Sequence, residues 1–308
     1  MHVQADLTPD PSTVRMDSPD DRTRSASVPV DGPVTVVVGI RSGSVGIDAD
    51  GPDGSVEIAV GSLNDAARYL LDSVRVLHAD GTVSVPLPHD RGGLVGGRTP
   101  DFALTVRMPA GSGLRVSAAS ADVTGTGRAG EVEVSTASGD VDLAGVASGR
   151  VAVASGDVRI ADAAGALDVR SASGDVSVVR VGGEARVQSA SGDVRIGAAE
   201  GPASLESASG DVRIGRVDGR LTTRTASGEV TVGSLLGPDA RITTVSGDVE
   251  VGVPDGTAVW LDVSTRSGEV ASDFTGSAAG DGGEPGAGDR VLELRVSTVS
   301  GDVAVRRT

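Results

Sequence analysis

The 308-residue chain contains no cysteine and no lysine, and its only aromatic residues are Tyr69, Phe102, Trp260 and Phe274. Without cysteine there are no disulfide staples, no thiolate metal ligands and no cysteine nucleophiles. With so few aromatics the core has to be built from valine, isoleucine, leucine and alanine, which suits a thin interior between short strands. The all-arginine basic set reads as a compositional bias of the source. No apolar run of 18 residues occurs, so no membrane span is expected. A concentrated basic surface is missing too. The 27 basic residues are outnumbered by 43 acidic ones, giving a net charge of −16, and they form no stripe, which argues against a nucleic-acid partner. The acidity is expected to keep a long surface soluble. Residues 1–28 hold no apolar stretch of signal-peptide length. As written, the chain is therefore expected in the cytoplasm, or at the cell envelope or surface if the true start codon lies upstream.

What is present is a repeat. Ser-Gly-Asp or Ser-Gly-Glu followed by Val occurs nine times, with glycines at Gly139, Gly156, Gly174, Gly192, Gly210, Gly228, Gly247, Gly268 and Gly301, in steps of 17, 18, 18, 18, 18, 19, 21 and 33. Short repeats at fixed spacing indicate a solenoid in which each unit buries its apolar side only by stacking on its neighbours. In the unit that begins at Asp193, Val194 and Ile196 alternate with polar residues, and Ala203 and Leu205 do so again after Gly201. Each rung is thus two short strands joined at a mid-repeat glycine (Gly130, Gly165, Gly183, Gly201, Gly219, Gly237), where a positive φ is expected, and at Ser-Gly. A third short edge strand is compatible with the pattern. The valine after each acid forms a ladder along the core.

The predicted architecture is all-β: a parallel β-solenoid (β-helix) of about 18-residue rungs with an irregular amino-terminal β cap and one short helix. Residues 1–28, rich in Pro, Asp, Ser and Arg, read as a disordered tail. Residues 29–111 form the cap and first rungs, with strands near 34–38, 55–60, 74–77, 82–87 and 102–108. The helix lies near 63–71, where Ala66, Ala67, Leu70 and Leu71 fall at helical spacing behind a cap at Ser62 or Asn64. The Gly-rich stretch 88–98 lacks the Gly-Lys-Ser/Thr ending of a phosphate loop and reads as a connector. Residues 112–308 form the regular solenoid, interrupted by a Gly-rich insertion at 273–290. Ser300-Gly-Asp-Val303 opens a last partial rung, expected to leave pairing groups open for end-to-end assembly.

The Ser-Ala-Ser-Gly-Asp-Val-x-Ile/Val runs at 171–178, 189–196 and 207–214 resemble a large bacterial family of β-strand-repeat domains labelled as adhesins and of unknown function. The resemblance extends over about residues 30–308. It implies the solenoid fold and an association with the cell envelope, and it carries no catalytic residues over to this chain.

The acidic column Asp140, Asp157, Asp175, Asp193, Asp211, Glu229 and Asp248 is the first candidate site. Calcium requires six to eight oxygens, and one carboxylate per rung is thin for it. The favoured reading is that each acid satisfies turn amides, with Arg159, Arg195 and Arg213 relieving a like-charge repulsion of only about 1 kcal/mol per pair. The Ser/Thr ladder before each glycine is expected to bond its own members and the backbone between rungs. It could instead present a hydroxyl-rich surface to sugar, but no aromatic platform accompanies it. The histidines, His2, His78 and His89, have no partners at metal-ligand spacing, so neither an enzyme nor a bound cofactor is expected. Trp260 points outward between Val259 and Leu261 on an end rung. It either anchors a partner or is covered by the 273–290 insertion together with Phe274. The expected function is a non-enzymatic scaffold for protein partners or self-association, with a surface adhesin or envelope-stress component as the alternative.

Overall fold

The computed structural model describes residues 12–88, 99–274 and 291–308. His2, His89, most of the Gly-rich stretch at 88–98, and residues 275–290 of the insertion lie outside the described residues. The chain divides into two compact units, Met1–Gly139 and Asp140–Thr308.

The first unit is organised around β4 (Thr35–Asp48), after β1 (Ser12–Val14), β2 (Asp17–Asp20) and β3 (Thr23–Pro29), and before β5 (Ser55–Ser62), β6 (Val76–Ala79), β7 (Thr82–Pro86), β8 (Phe102–Arg107) and β9 (Gly113–Ser138). On one side β4 pairs in parallel with β9, from Thr35↔Gly113 to Asp48↔Thr126. This long pairing holds the first coils in the first unit, which ends at Gly139. On the other side β4 is met by β7 over its first half and β8 over its second, both parallel. Beyond them the pairing turns antiparallel, through β6 and β1 on one arm and through β5, β3 and β2 on the other. The antiparallel arms close the open edge of a parallel stack, as a cap must.

Residues 12–28 therefore differ from the expected tail. The polar stretch is structured because β3 alternates, with Ala26 and Val28 buried against β5 while Ser27 and Pro29 face out. One short helix, α1 (Asp65–Leu70), follows β5. The Asn64 side-chain oxygen accepts from the Ala67 amide at 2.8 Å, and Ala66 and Ala67 are buried, as is Leu71 in the 3₁₀ turn that follows.

The second unit stacks coils of two strands. Val158–Ala163, Val176–Val181, Val194–Ala199, Val212–Val217 and Val230–Leu235 pair in parallel in one column. Leu167–Ser173, Ala185–Ser189, Ala203–Ser209, Leu221–Ser227 and Asp239–Ser246 pair in a second. Valine, isoleucine and leucine at alternate positions make these strands, since β-branched side chains fit a pleated, half-buried surface. Val194, Ile196, Ala199, Ala203 and Leu205 are each no more than 3% exposed. The alternation slips at Gly197 and Ala198, two successive residues that are not buried. The strand turns a corner there, giving each such coil a third short face.

Coil order in space departs from coil order in sequence. Val291–Ser300 pairs with Asp239–Ser246 on one side and Ala258–Ser267 on the other. Val303–Arg307 likewise lies between Val249–Val253 and Val270–Ser272. The last coil in sequence is thus inserted between two earlier ones, and Pro254–Thr257 crosses over it. Two coil steps are about 9.6 Å, and four extended residues reach roughly 13 Å, so the crossing is unstrained. The expectation that 300–305 leaves pairing groups open is corrected, because that rung is paired on both sides. Among the described residues the free edge belongs to the 258–272 coil.

The mid-repeat glycines are a second correction. Gly130, Gly165, Gly183, Gly201, Gly219 and Gly237 do not have positive φ. At Gly201 a Cβ would stand 2.4 Å from the carbonyl oxygen of Gly183 one coil back. These positions need glycine for close backbone approach, not for backbone conformation. The Ser-Gly glycines need it for both reasons. Gly210 has φ +113°, and a Cβ there would meet the Gly192 oxygen at 2.2 Å.

Candidate interaction surface

The Ser-Gly-Asp turn brings the acidic column to one edge of the stack, where each acid acts on the next coil. Asp140 Oδ1 accepts from the Asp157 amide at 2.9 Å, Asp157 from Asp175 at 3.0 Å, Asp175 from Asp193 at 2.9 Å, Asp193 from Asp211 at 3.0 Å and Asp211 from Glu229 at 3.0 Å. The main chain returns the bond. The Val194 amide donates to the Asp211 carbonyl, and the Val212 amide to that of Glu229, both at 2.8 Å. Positive φ at the glycine turns the following amide toward its neighbour, and the short aspartate side chain reaches it. The longer Glu229 side chain instead accepts from Thr231 Oγ1 at 3.2 Å. The ladder continues in spatial order, with Asp248 Oδ1 holding the Asp302 amide at 2.8 Å and Asp302 Oδ1 holding that of Glu269 at 2.7 Å.

Arginines two residues on lie along the same face. Arg159 meets Asp157 at 2.7 Å, and Arg195 bridges Asp193 at 2.6 Å and Asp175 at 3.3 Å. Arg213 meets Asp211 at 2.8 Å and reaches Asp193 and Glu229 at 3.7 Å. The Glu229 amide, helped by Arg213 and Arg195 and opposed by burial, holds the Asp211 carboxyl below the usual carboxylate range. The amides bonded are those of the next coil, a partner that a single repeat in sequence does not reveal.

Three of the buried hydroxyls bond within their own turn and not between rungs as expected, while those of Thr223, Thr244 and Thr298 have no hydrogen-bond partner among the described residues. Ser189 and Ser207 donate to the carbonyls of Ser191 and Ser209, each at 3.1 Å, and Thr225 donates to Ser227 at 3.3 Å. Outside this column lies a shallow groove of about 760 Å³, floored by Ala190, Ala208 and Ala226 and flanked by Gln188, Glu206 and Arg224. His78 lies in β6 of the first unit. Among the described residues no group of three or more His, Asp or Glu converges in metal-binding geometry. No helix among them is long and apolar enough to cross a membrane.

Trp260 lies in the terminal coil and is 49% exposed. The Arg295 guanidinium of the inserted coil stands over its ring, 5.4 Å from the centroid. Phe274 lies elsewhere, under Arg307 at 4.4 Å. Sequence reasoning missed the rest of this end. Val259, Leu261 and Val263 are only half-buried there, and Val270 is 48% exposed. The 33-residue final step was the one signal of an unusual coil order.

Several solved structures resemble the chain. An adhesin candidate from Bacteroides fragilis NCTC 9343 is 15% identical, with 93% of this chain and 98% of that one covered and a TM-score of 0.31. A second adhesin candidate, from Parabacteroides distasonis ATCC 8503, is 11% identical, with coverages of 92% and 98% and a TM-score of 0.38. A candidate lipid-binding protein from the same organism is 13% identical, with coverages of 92% and 96% and a TM-score of 0.34. No curated protein matches the chain. The family profile described as Toastrack DUF4097 matches residues 52–204 and 182–306. The two stretches overlap inside the regular coils, as a repeat does when it aligns with itself. Together they span most of the sequence, and the chain belongs to the Toastrack DUF4097 family.

Proposed function

We propose that the protein is a non-enzymatic scaffold whose stacked coils hold surfaces for protein contacts. The observation that carries this reading is the coil-to-coil ladder. Asp140, Asp157, Asp175, Asp193, Asp211, Asp248 and Asp302 each hold an amide of the adjoining coil. The repeated acids, the most conspicuous chemical groups in the sequence, are thus engaged in making the stack stiff. Side chains on the outer faces stand in fixed rows at the strand spacing of about 4.8 Å, an arrangement suited to presenting contacts over several coils.

The test is cross-linking in native cells, capture of the chain, and reconstitution of each captured partner with the purified full-length protein. A stoichiometric complex supports the scaffold. Cross-links confined to the chain itself, combined with turnover on a panel of polysaccharide and ester substrates, overturn it. Protease treatment of intact cells, read by antibody, separates a cell-surface partner from an internal one.

A further inference from the structure

The second unit leaves one strand edge without a neighbour among the described residues. Ala258–Ser267 pairs only with Val291–Ser300, and Val270–Ser272 only with Val303–Arg307. Long, exposed strand edges are normally blunted by proline, lysine, a bulge or an inward charge. The sequence AVWLDVSTRS has no proline, lysine or inward charge, its two outward charges are of opposite sign, and its pairing with Val291–Ser300 runs without a register break. Its inward residues Val259, Leu261 and Val263 are half-buried, whereas Leu292, Leu294 and Val296 one coil further in are each no more than 1% exposed.

The outward residues carry the second observation. Asp262 and Arg266 are exposed, opposite in charge and four positions apart. Neither has an ion-pair partner among the described residues, although acid–arginine pairs recur through the unit.

We infer that Ala258–Ser267 is a self-complementary edge that pairs antiparallel with the same strand of a second copy of this chain, about a two-fold axis through Ser264. The inference rests on the scaffold reading and names one partner for it. In this pairing Asp262 stands opposite Arg266 of the second copy, and by symmetry the ion pair forms twice. On the inner side Val263 meets Thr265 and Leu261 meets Ser267. The charge order selects the direction, because a parallel, in-register contact would set Asp262 against Asp262 and Arg266 against Arg266. Opposite charges directly across an antiparallel pair stabilise it and like charges disfavour it. The two-fold also closes at a dimer, unlike a head-to-tail contact, which continues into open-ended assemblies.

The test is analytical ultracentrifugation of the full-length protein and of Asp262→Arg, Arg266→Asp and the double charge exchange. The wild type is expected to form a reversible dimer. Each single variant puts like charges together at both ends of the contact and should raise the dimer dissociation constant ~10-fold or more. The double variant restores opposite charges and should return it to within ~3-fold of wild type. Asp262 stands in register beside Arg295 of its own chain, so thermal melts of the four proteins under dissociating conditions measure any change within the monomer, which separates loss of contact from loss of fold. A monomer at every concentration overturns the inference, as does a dimer indifferent to the single exchanges, a double variant as weak as the singles, or assemblies that grow without limit. A monomer that still forms stoichiometric complexes with captured partners overturns the self-pairing alone and leaves the scaffold standing.

Discussion

Gly201 and Gly210 belong to the same rung, and Gly201 excludes a side chain by close backbone approach alone, Gly210 by close approach and by its positive φ. Gly256 isolates one of those reasons, with φ +79° and nothing within 4 Å of an added Cβ. Gly256→Ala should cost about 1 kcal/mol, the conformational term alone. Gly201→Ala carries no such term but drives a methyl group to 2.4 Å from the Gly183 oxygen. Two backbone strands would have to separate, and the expected loss is about 3 kcal/mol, read from chemical denaturation of both variants. The acids can be tested the same way. The carboxyl of Asp211 is held below its ordinary value of 3.8 in the folded protein, first by the Glu229 amide. A group whose folded value is depressed stabilises above the unfolded value, and loses that contribution as pH falls through the folded one. Asp211→Asn keeps an oxygen acceptor and removes the charge. It should cost about 1 kcal/mol at pH 7, with the gap to wild type closing as pH drops below about 4. A gap constant down to pH 2 would show that the ionised form is not what holds the Glu229 amide.

At the scale of strands and coils, the decisive feature is the placement of the last coil. Solenoid ends ordinarily fray first, because the outermost unit has one neighbour where inner units have two. If coils stacked in sequence order, the carboxy-terminal strand would be the most mobile. Here Val303–Arg307 has partners on both sides, and the 258–272 coil has one. Under conditions that keep the chain monomeric, amide hydrogen exchange should therefore find Val303 and Val305 protected to a degree comparable with Val230 and Val232, while the edge of Ala258–Ser267 exchanges faster. The reverse ranking would refute the inserted order. The repeat itself was legible in the sequence because the Ser-Gly-Asp-Val spacing sets both turn and register, and the alternation of Val194 and Ile196 sets the inward face. The tail was misread because β3 is held by pairing with β5 some thirty residues away, and composition is blind to that. Coil order was illegible for a related reason. Every coil carries the same ladder chemistry, so Ser-Gly-Asp at 300–302 fits any neighbour, and only tertiary packing selects which one it joins.

At the scale of the whole molecule, that interchangeability makes the inserted coil separable from the rest. The register of Ala258–Ser267 and of Asp239–Ser246 against Val291–Ser300 is common, Glu293 facing both Trp260 and Asp239 and Ser300 facing both Ser267 and Ser246. With the 291–307 coil removed, the 258–272 coil can therefore stack directly on 239–253 without a register shift. Leu261 then falls beside Ala240, Val263 beside Ile242, and Asp262 beside Arg241, which has no ion pair among the described residues. The four-residue link at 254–257 spans one coil step of about 4.8 Å as readily as two. A chain ended after residue 290 should thus remain folded, and limited proteolysis should spare residues 258–272. Trp260 reports the rearrangement, because it is the single tryptophan and leaves the Arg295 guanidinium for a place beside Asp239. Its emission should shift, while the circular dichroism per residue stays near that of the full chain. Rapid cleavage within 258–272 in the shortened protein would show instead that this coil depends on the inserted one, and that the last coil has to be in place before the end of the stack can form.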